Sequence, residues 1–132
     1  MKNIVIDGVE YTPVIKKDEV IANPIVLHKS LILDFEVYPT DLGEMSWNEA
    51  KEACANLGNG WRLPTKDELN LIYENKNVVG GFANYYYWSS TEAGFKYAWN
   101  QSFLNGLQFN GNKDFAYFVR AVRALTKKQE DE

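Results

Sequence analysis

The sequence of 132 residues contains one cysteine and one histidine. Cys54 alone cannot form an intrachain disulfide or a cysteine metal cluster, so neither stabilises the fold. His28 has no sequence neighbours that indicate a catalytic triad, and we interpret it as incidental. Metal-assisted and nucleophilic catalysis need metal ligands or a base, and the chain offers only one His and one Cys for these roles. We therefore expect no catalytic residue, no metal and no cofactor.

Other absences limit the partners of the chain. No apolar run reaches the roughly 18 residues of a membrane span, and residues 1–7 are too short and too soon charged for a signal peptide. The net charge is −4, without a cluster of Lys and Arg, which argues against a nucleic-acid interface. We expect cytoplasmic synthesis, no membrane insertion and no nucleic-acid partner.

Two helix-start motifs lie close together in the middle of the chain. Ser46-x-x-Glu49 and Thr65-x-x-Glu68 both have the form of a capping box, in which a hydroxyl and a carboxylate satisfy free N–H groups. They predict two short helices. In the first, apolar residues recur at steps of three and four and place Cys54 on the buried face. Residues 75–81 are predicted to form a loop.

The remainder of the chain is typical of strands and turns. Val9 and Ile6 flank Asp7-Gly8, which predicts a hairpin. Strands are predicted over residues 31–38, 85–91, 97–103, 107–109 and 115–124, with a loop at 39–44 and turns at 93–94, 105–106 and 110–112. The fold class is α+β, with two short helices packed on small antiparallel sheets.

The domain organisation follows from the same pattern. Residues 1–30 form an N-terminal hairpin or arm, 31–125 the main domain and 126–132 a charged tail. The arm is either an attachment segment or an extra edge ribbon on the same domain. In the last predicted strand, alternation places Arg120 beside Phe118, so we expect it to be partly buried and paired with Glu68 or Asp67.

Five motifs occur in an order that is characteristic of one family. They are Trp47-x-x-Ala50-x-x-x-Cys54, Trp61-Arg62-Leu63-Pro64-Thr65-x-x-Glu68-Leu69, Tyr87-Trp88-Ser89-Ser90-Thr91, Ala98-Trp99 and Val119-Arg120-Ala121-Val122-Arg123. This series resembles the bacterial and phage domain family named after the C-terminal domain of a collagen-like bacterial adhesin. The resemblance covers residues 31–125 and implies a C-type lectin-like fold.

The chain departs from two groups of proteins with that fold. Formylglycine-generating oxidases use paired cysteines, whereas this chain has only Cys54. Calcium-dependent lectins carry a Glu-Pro-Asn or Gln-Pro-Asp loop and a Trp-Asn-Asp motif. Here the corresponding stretch reads Trp99-Asn100-Gln101, and no Glu-Pro or Gln-Pro dipeptide occurs. We therefore expect no sugar binding through calcium.

Aromatic residues are concentrated in residues 84–117, which hold eleven of the nineteen in the chain together with five Asn. Antibody paratopes have a similar composition. Some rings fill the core, for which we choose Trp88, Trp99, Phe103 and Phe118. Alternation then leaves Asn100 on an accessible face with Ser102 and Leu104. The predicted ligand-binding residues are Phe95, Tyr97, Asn100, Ser102, Leu104, Phe109, Asn110, Asn112, Asp114, Phe115 and Tyr117.

The resemblance also implies a function, because some members are variable proteins of diversity-generating retroelements and serve as phage receptor-binding determinants. The expected function is non-enzymatic binding of a protein or glycan on a cell surface, from a virion or another particle that needs no export signal. One alternative is an assembly module, in which the same patch is a homo-oligomer interface. A formylglycine-generating enzyme is the second alternative.

Overall fold

A computed structural model describes residues 35–125 in full, together with the backbone of three strands at 4–6, 9–11 and 25–27. The helices are α1 (Trp47–Asn56), α2 (Lys66–Glu74) and α3 (Lys76–Val79). The strands are β1 (Ile4–Ile6), β2 (Val9–Tyr11), β3 (Ile25–Leu27), β4 (Phe35–Val37), β5 (Glu44–Met45), β6 (Tyr86–Gly94), β7 (Tyr97–Ser102), β8 (Gln108–Asn112), β9 (Tyr117–Phe118) and β10 (Val122–Ala124). The chain is an α+β protein, as predicted. His28, Asp7-Gly8, residues 31–34 and the tail at 126–132 lie outside the described residues.

The strands form three small sheets, ordered β1-β2, β10-β4-β3 and β5-β9-β6-β7-β8. The predicted N-terminal hairpin is confirmed, since β1 pairs with β2 in antiparallel register, with Ile6 opposite Val9. The prediction that all sheets are antiparallel is wrong at one bridge, where Tyr87 and Phe118 pair β6 with β9 in parallel.

Both predicted helix starts are confirmed. The Ser46 hydroxyl accepts the Glu49 N–H while the Glu49 carboxylate accepts the Ser46 N–H, and Thr65 and Glu68 repeat this arrangement. These pairs satisfy N–H groups that a helix leaves free. The predicted loop at 75–81 is wrong in part, because α3 follows α2 directly. Val79 is buried in α3, and we attribute this single turn to burial rather than to a cap.

The core consists of two clusters on opposite sides of the five-stranded sheet. One lies under α2 and contains Phe35, Val37, Leu69, Ile72, Val79, Tyr87, Phe103 and Val122. The other lies under α1 and contains Trp47, Ala50, Cys54, Trp61, Leu63, Trp88, Ala98, Val119 and Ala121. Cys54 is fully buried, as predicted. Burying this much apolar surface on both sides fixes the sheet between the helices.

Several strand bounds differ from the prediction. The predicted loop at 39–44 ends in β5, β6 continues through the predicted turn at 93–94, and β8 includes the predicted turn at 110–112. The predicted strand at 115–124 is divided into β9 and β10. Between them the chain bonds to a loop instead of a sheet, because the Leu42 N–H donates to the carbonyl of Val119 and the Tyr38 N–H to that of Ala121.

The predicted partners of Arg120 are wrong. Its Nε donates to Oδ1 of Asp41 at 2.9 Å, and its two terminal nitrogens donate to the carbonyls of Tyr38, Gly80 and Gly81. Glu68 instead pairs with Arg62, at 2.7 and 3.0 Å, and Asp67 is exposed. Arg62 lies six residues before Glu68 and bonds both of its carboxylate oxygens.

Candidate functional site

The predicted apolar binding residues are largely at the surface. Phe95, Tyr97, Leu104, Phe109 and Phe115 are all exposed, which agrees with the predicted surface location. Tyr117 is half-buried. Exposed apolar side chains are individually common, so their arrangement matters more than their number.

The prediction of an accessible face on β7 is wrong for Asn100 and Ser102, which are both buried. Asn100 is 2% and Ser102 is 5% exposed. The strand lies between β6 and β8, and side chains cover both of its faces, so alternation does not separate buried from accessible residues here. The Ser102 hydroxyl accepts the N–H groups of Leu104 and Asn105, which is a structural role in closing the turn after β7.

Four rings contact one another on one face of the five-stranded sheet, and we call this group the aromatic cluster: Tyr86, Phe109, Phe115 and Tyr117. The ring centroid of Tyr86 lies 5.9 Å from that of Phe109 and 5.3 Å from that of Tyr117. Phe115 lies 6.0 Å from Tyr117. These distances are typical of aromatic pairs. The four rings therefore form one continuous surface.

The strand register explains the position of the aromatic cluster. Tyr86 on β6 stands opposite Ser102 on β7, and Phe109 on β8 stands opposite Asn100. Directly opposite residues share a face of a sheet, so the rings of Tyr86 and Phe109 meet above β7.

Burial, and then the proximity of Tyr86, raise the pKa of the Tyr117 hydroxyl.

The other predicted residues do not join the aromatic cluster. Asn110 is paired in register with Trp99, and Tyr97 with Asn112, which places all four on the opposite face. Leu104 and Phe95 lie in the turns at either end of β7. Asp114 is exposed, and its N–H donates to Oδ1 of Asn112. The structure therefore divides the predicted site between two faces and two turns.

Sequence reasoning missed Tyr86, which is at the centre of the cluster, as well as the exposed Tyr85 and Leu107. A signal for Tyr86 was present in the sequence. It precedes Tyr87 and Trp88 in a run of four consecutive aromatic residues, and a strand with such a run sends rings to both faces. The rings of Tyr87 and Trp88 lie in the core, whereas those of Tyr85 and Tyr86 are exposed.

The opposite face of the sheet is covered by α2. The Asn70 amide oxygen accepts from Nε2 of Gln101 at 2.9 Å, and Nζ of Lys66 lies 3.7 Å from the centroid of the Trp99 ring. Trp99 is half-buried rather than a full core residue, and so is Phe118. The other two core choices, Trp88 and Phe103, are fully buried. Helix α2 thus covers the face opposite to the aromatic cluster.

Two clefts lie elsewhere on the surface. One, of about 310 Å³, is lined mainly by Trp47, Trp61, Lys51 and Arg62. The other, of about 290 Å³, lies around Gly80 and Gly81. In the described part of the chain, no group of three or more His, Cys, Asp or Glu residues could hold a metal ion. Neither cleft therefore offers a metal centre.

The single thiol has the properties of a core group. Cys54 is fully buried, and burial raises the pKa of its thiol to about 12. A thiolate is the reactive form of cysteine, and this environment disfavours it.

None of the helices in the described ranges has the length and apolar character needed to cross a membrane.

The comparisons with known proteins give one result. A search of curated proteins found no match. The family model described as the Lcl C-terminal domain matches residues 25–123, three quarters of the chain. The match begins with β3, upstream of the predicted boundary at residue 31, and it includes all three helices and the aromatic cluster. The chain belongs to the Lcl C-terminal domain family.

Proposed function

We propose that this chain is a non-enzymatic, adhesin-like domain whose aromatic cluster binds a protein or glycan on a cell surface. The observation that carries the proposal is the contact between four uncharged rings on a strand-supported face. Tyr86, Phe109 and Phe115 each keep more than 40% of their surface exposed. Contiguous exposed apolar patches mark interaction sites in soluble proteins.

The position of the rings favours recognition rather than packing. Tyr and Phe give large contact area at low entropic cost, and they are enriched at the centres of interfaces. Tyr86 and Phe109 lie on strands within a five-stranded sheet, which holds them in place before a partner arrives. A surface that is ordered in advance loses less entropy on binding.

A binding assay with cells tests this proposal. The fluorescently labelled domain is incubated with a panel of bacterial and animal cells and measured by flow cytometry. Phe109→Ala and Phe115→Ala should each weaken binding at least about tenfold, as expected for anchor residues. Leu104→Ala is the matched control, because Leu104 is also apolar and is more exposed than either Phe, but lies in a turn outside the cluster. Equal loss in all three variants would contradict the proposal.

An assembly module is the second candidate, since the same exposed rings could contact other copies of the chain. Light scattering separates the two functions. A stable oligomer that dissociates in the Phe109→Ala variant favours assembly. A monomer, or an oligomer unaffected by that substitution, favours binding.

A finer proposal is that the surface is diversified by a retroelement on a phage or bacterial particle. It is supported by the residue types in positions 95–117, since Asn, Tyr, Phe, Ser, Asp, Leu and Ala are all reachable from an Asn codon at its first two positions. Sequencing the gene across a population tests it. Substitutions should concentrate at Phe109, Phe115 and Tyr117 and spare Trp99 and Phe103. Equal variation at residues 46–73 would contradict it.

A further inference from the structure

Asn100 has a buried amide without a hydrogen-bond partner. The residue is 2% exposed, and neither Oδ1 nor Nδ2 finds a partner in the part of the chain that the structure describes. Most buried side-chain polar atoms are paired, because an unpaired one costs about 1–3 kcal/mol. A polar group kept under these conditions points to a role outside stability.

The amide is directed at the aromatic cluster. Asn100 stands opposite Trp88 on one side and opposite Phe109 on the other. A Cβ placed at Gly111 would lie 2.9 Å from Nδ2 of Asn100 and 3.2 Å from the hydroxyl oxygen of Tyr117. The amide and the Tyr117 hydroxyl thus lie against the same glycine, within the binding surface proposed above.

Tyr117 covers the amide without polar restraint. It begins on β9 and its ring lies 4.6 Å from that of Trp88 on β6, while its hydroxyl reaches Gly111 on β8. The Tyr117 side chain therefore extends from β9 over the face of the sheet that carries Asn100. Its hydroxyl makes no hydrogen bond within the described residues, so only ring contacts hold it. A change of rotamer can uncover Asn100.

We infer that Asn100 is a concealed specificity residue, and this inference rests on the proposed binding function. A protein partner displaces the Tyr117 ring and places a side-chain carboxamide, from Asn or Gln, against the Asn100 amide. Each amide has a donor next to an acceptor, so the two form a pair of N–H to oxygen bonds. The aromatic cluster then closes around this pair and excludes water.

The surroundings favour an uncharged group on a protein. The aromatic cluster contains no charged side chain, and a charged group brought under it would lose water without gaining a counter-charge. The rings extend over β6, β8 and the segment of Phe115 and Tyr117, which is broader than one sugar ring. The cores of protein–protein interfaces have a similar composition, because they are enriched in Tyr and Phe and depleted of charged residues.

The binding test uses a phage-displayed library of random linear peptides, selected on the immobilised domain. Selected peptides should share Asn or Gln at one position with apolar neighbours. Synthetic versions are then measured by fluorescence anisotropy. Replacing the shared carboxamide by Leu, or Asn100 by Leu, should weaken binding roughly tenfold or more. The two changes together should weaken it little further, because they remove the same pair of bonds.

Three results distinguish this inference from the proposed function. The inference is overturned if the selected peptides share no carboxamide, or if they bind Asn100→Leu as tightly as wild type. In either case, a loss of binding in Phe109→Ala still supports the proposed function. Peptides that bind wild type, Phe109→Ala and Phe115→Ala alike overturn both. Binding of neutral methyl glycosides that depends on Asn100 assigns the amide to a glycan and also overturns the inference.

A stability measurement is independent of any ligand. Leu has the branched shape of Asn and no polar atom that needs a partner, so Asn100→Leu should raise the melting temperature of the free domain. A lower melting temperature means that the amide is satisfied in the free protein and overturns the inference. If Asn100→Leu does not fold, the peptide-side substitution still gives the result with wild-type protein.

Discussion

Buried Arg120 and partly buried Asp41 form an ion pair across 79 residues of sequence, with Nε of Arg120 2.9 Å from Oδ1 of Asp41. The Tyr87 hydroxyl donates to the second carboxylate oxygen of Asp41 at 2.7 Å. The guanidinium also lies 4.0 Å from the centroid of the Phe82 ring. This one side chain therefore joins the segment between β9 and β10 to the loops that follow β4 and α3.

Removing this cation should strongly destabilise the domain. Arg120→Met leaves Oδ1 of Asp41 and the Gly81 carbonyl without their donor, and we expect the free energy of unfolding in urea to fall by about 3–5 kcal/mol. Arg120→Lys should recover little of it, because an ammonium lacks the fork of donors. The control is Arg62→Met, since the Arg62 side chain is 42% exposed and its pair is worth about 0–1 kcal/mol. Equal losses would mean that Arg120 is not the central contact.

Gly106 should be replaceable only at a high cost. It has φ of +84°, and a Cβ there would lie 2.5 Å from Cε2 of Tyr73. A side chain at this position would be strained by the left-handed backbone and would also overpack against Tyr73. Gly106→Ala should therefore lower the free energy of unfolding by about 2 kcal/mol or more. Gly58 has φ of +74° with nothing within 4 Å of its Cβ position. Gly58→Ala therefore measures the backbone cost alone, about 1 kcal/mol, and an equal effect at both glycines would contradict the clash.

The Glu68 carboxylate should make the domain sensitive to acid. Burial alone would raise the pKa of Glu68, but hydrogen bonds from Arg62 and Thr65 outweigh it and lower the pKa below its usual 4.5. Because the folded pKa is the lower one, this contribution is present above about pH 4.5 and is lost as the pH falls through the folded pKa.

The matched variant is Glu68→Gln, which keeps the acceptor required by the capping box. Thermal unfolding of both proteins as a function of pH gives the result. Wild type should be more stable near neutral pH, and the difference should disappear in acid. A difference that does not change with pH would show that the charge of Glu68 contributes nothing.

Cys54 should resist alkylation in the folded domain. Burial raises the pKa of its thiol to about 12, so iodoacetamide near pH 8 meets very little thiolate and no accessible sulfur. Mass spectrometry should show slow modification in buffer and rapid modification in denaturing urea. Rapid modification in buffer would indicate that the helix α1 core opens readily.

The starts of the two longer helices could be predicted because capping is local. Ser46 and Thr65 each bond to a residue three positions later, and this spacing is visible in the sequence. The burial of Cys54 followed from helical periodicity in the same way. The family motifs identified the domain because they also lie in short, ordered segments. The C-type lectin-like fold stays a prediction.

Other features depend on residues that meet only in the folded chain. Asp41 lies 79 residues from Arg120, so the sequence offered nearer carboxylates as partners. Alternation assigned Asn100 to a face but could not show that rings from β6, β8 and β9 cover that face. Helix α3 has no side-chain cap and therefore lacked the local signal that identified α1 and α2.

The three-stranded sheet has a mechanical consequence. Strand β4 lies between β10 and β3 and is antiparallel to both, with Ile25 and Val122 opposite Val37, and with Leu27 and Ala124 opposite Phe35. The chain thus enters this sheet at one end, at Ile25, and leaves it at the other, at Ala124. Tension applied between these two points loads the hydrogen bonds of both ladders side by side, in shear. They must break together rather than one after another, which makes this sheet resistant to such a pull.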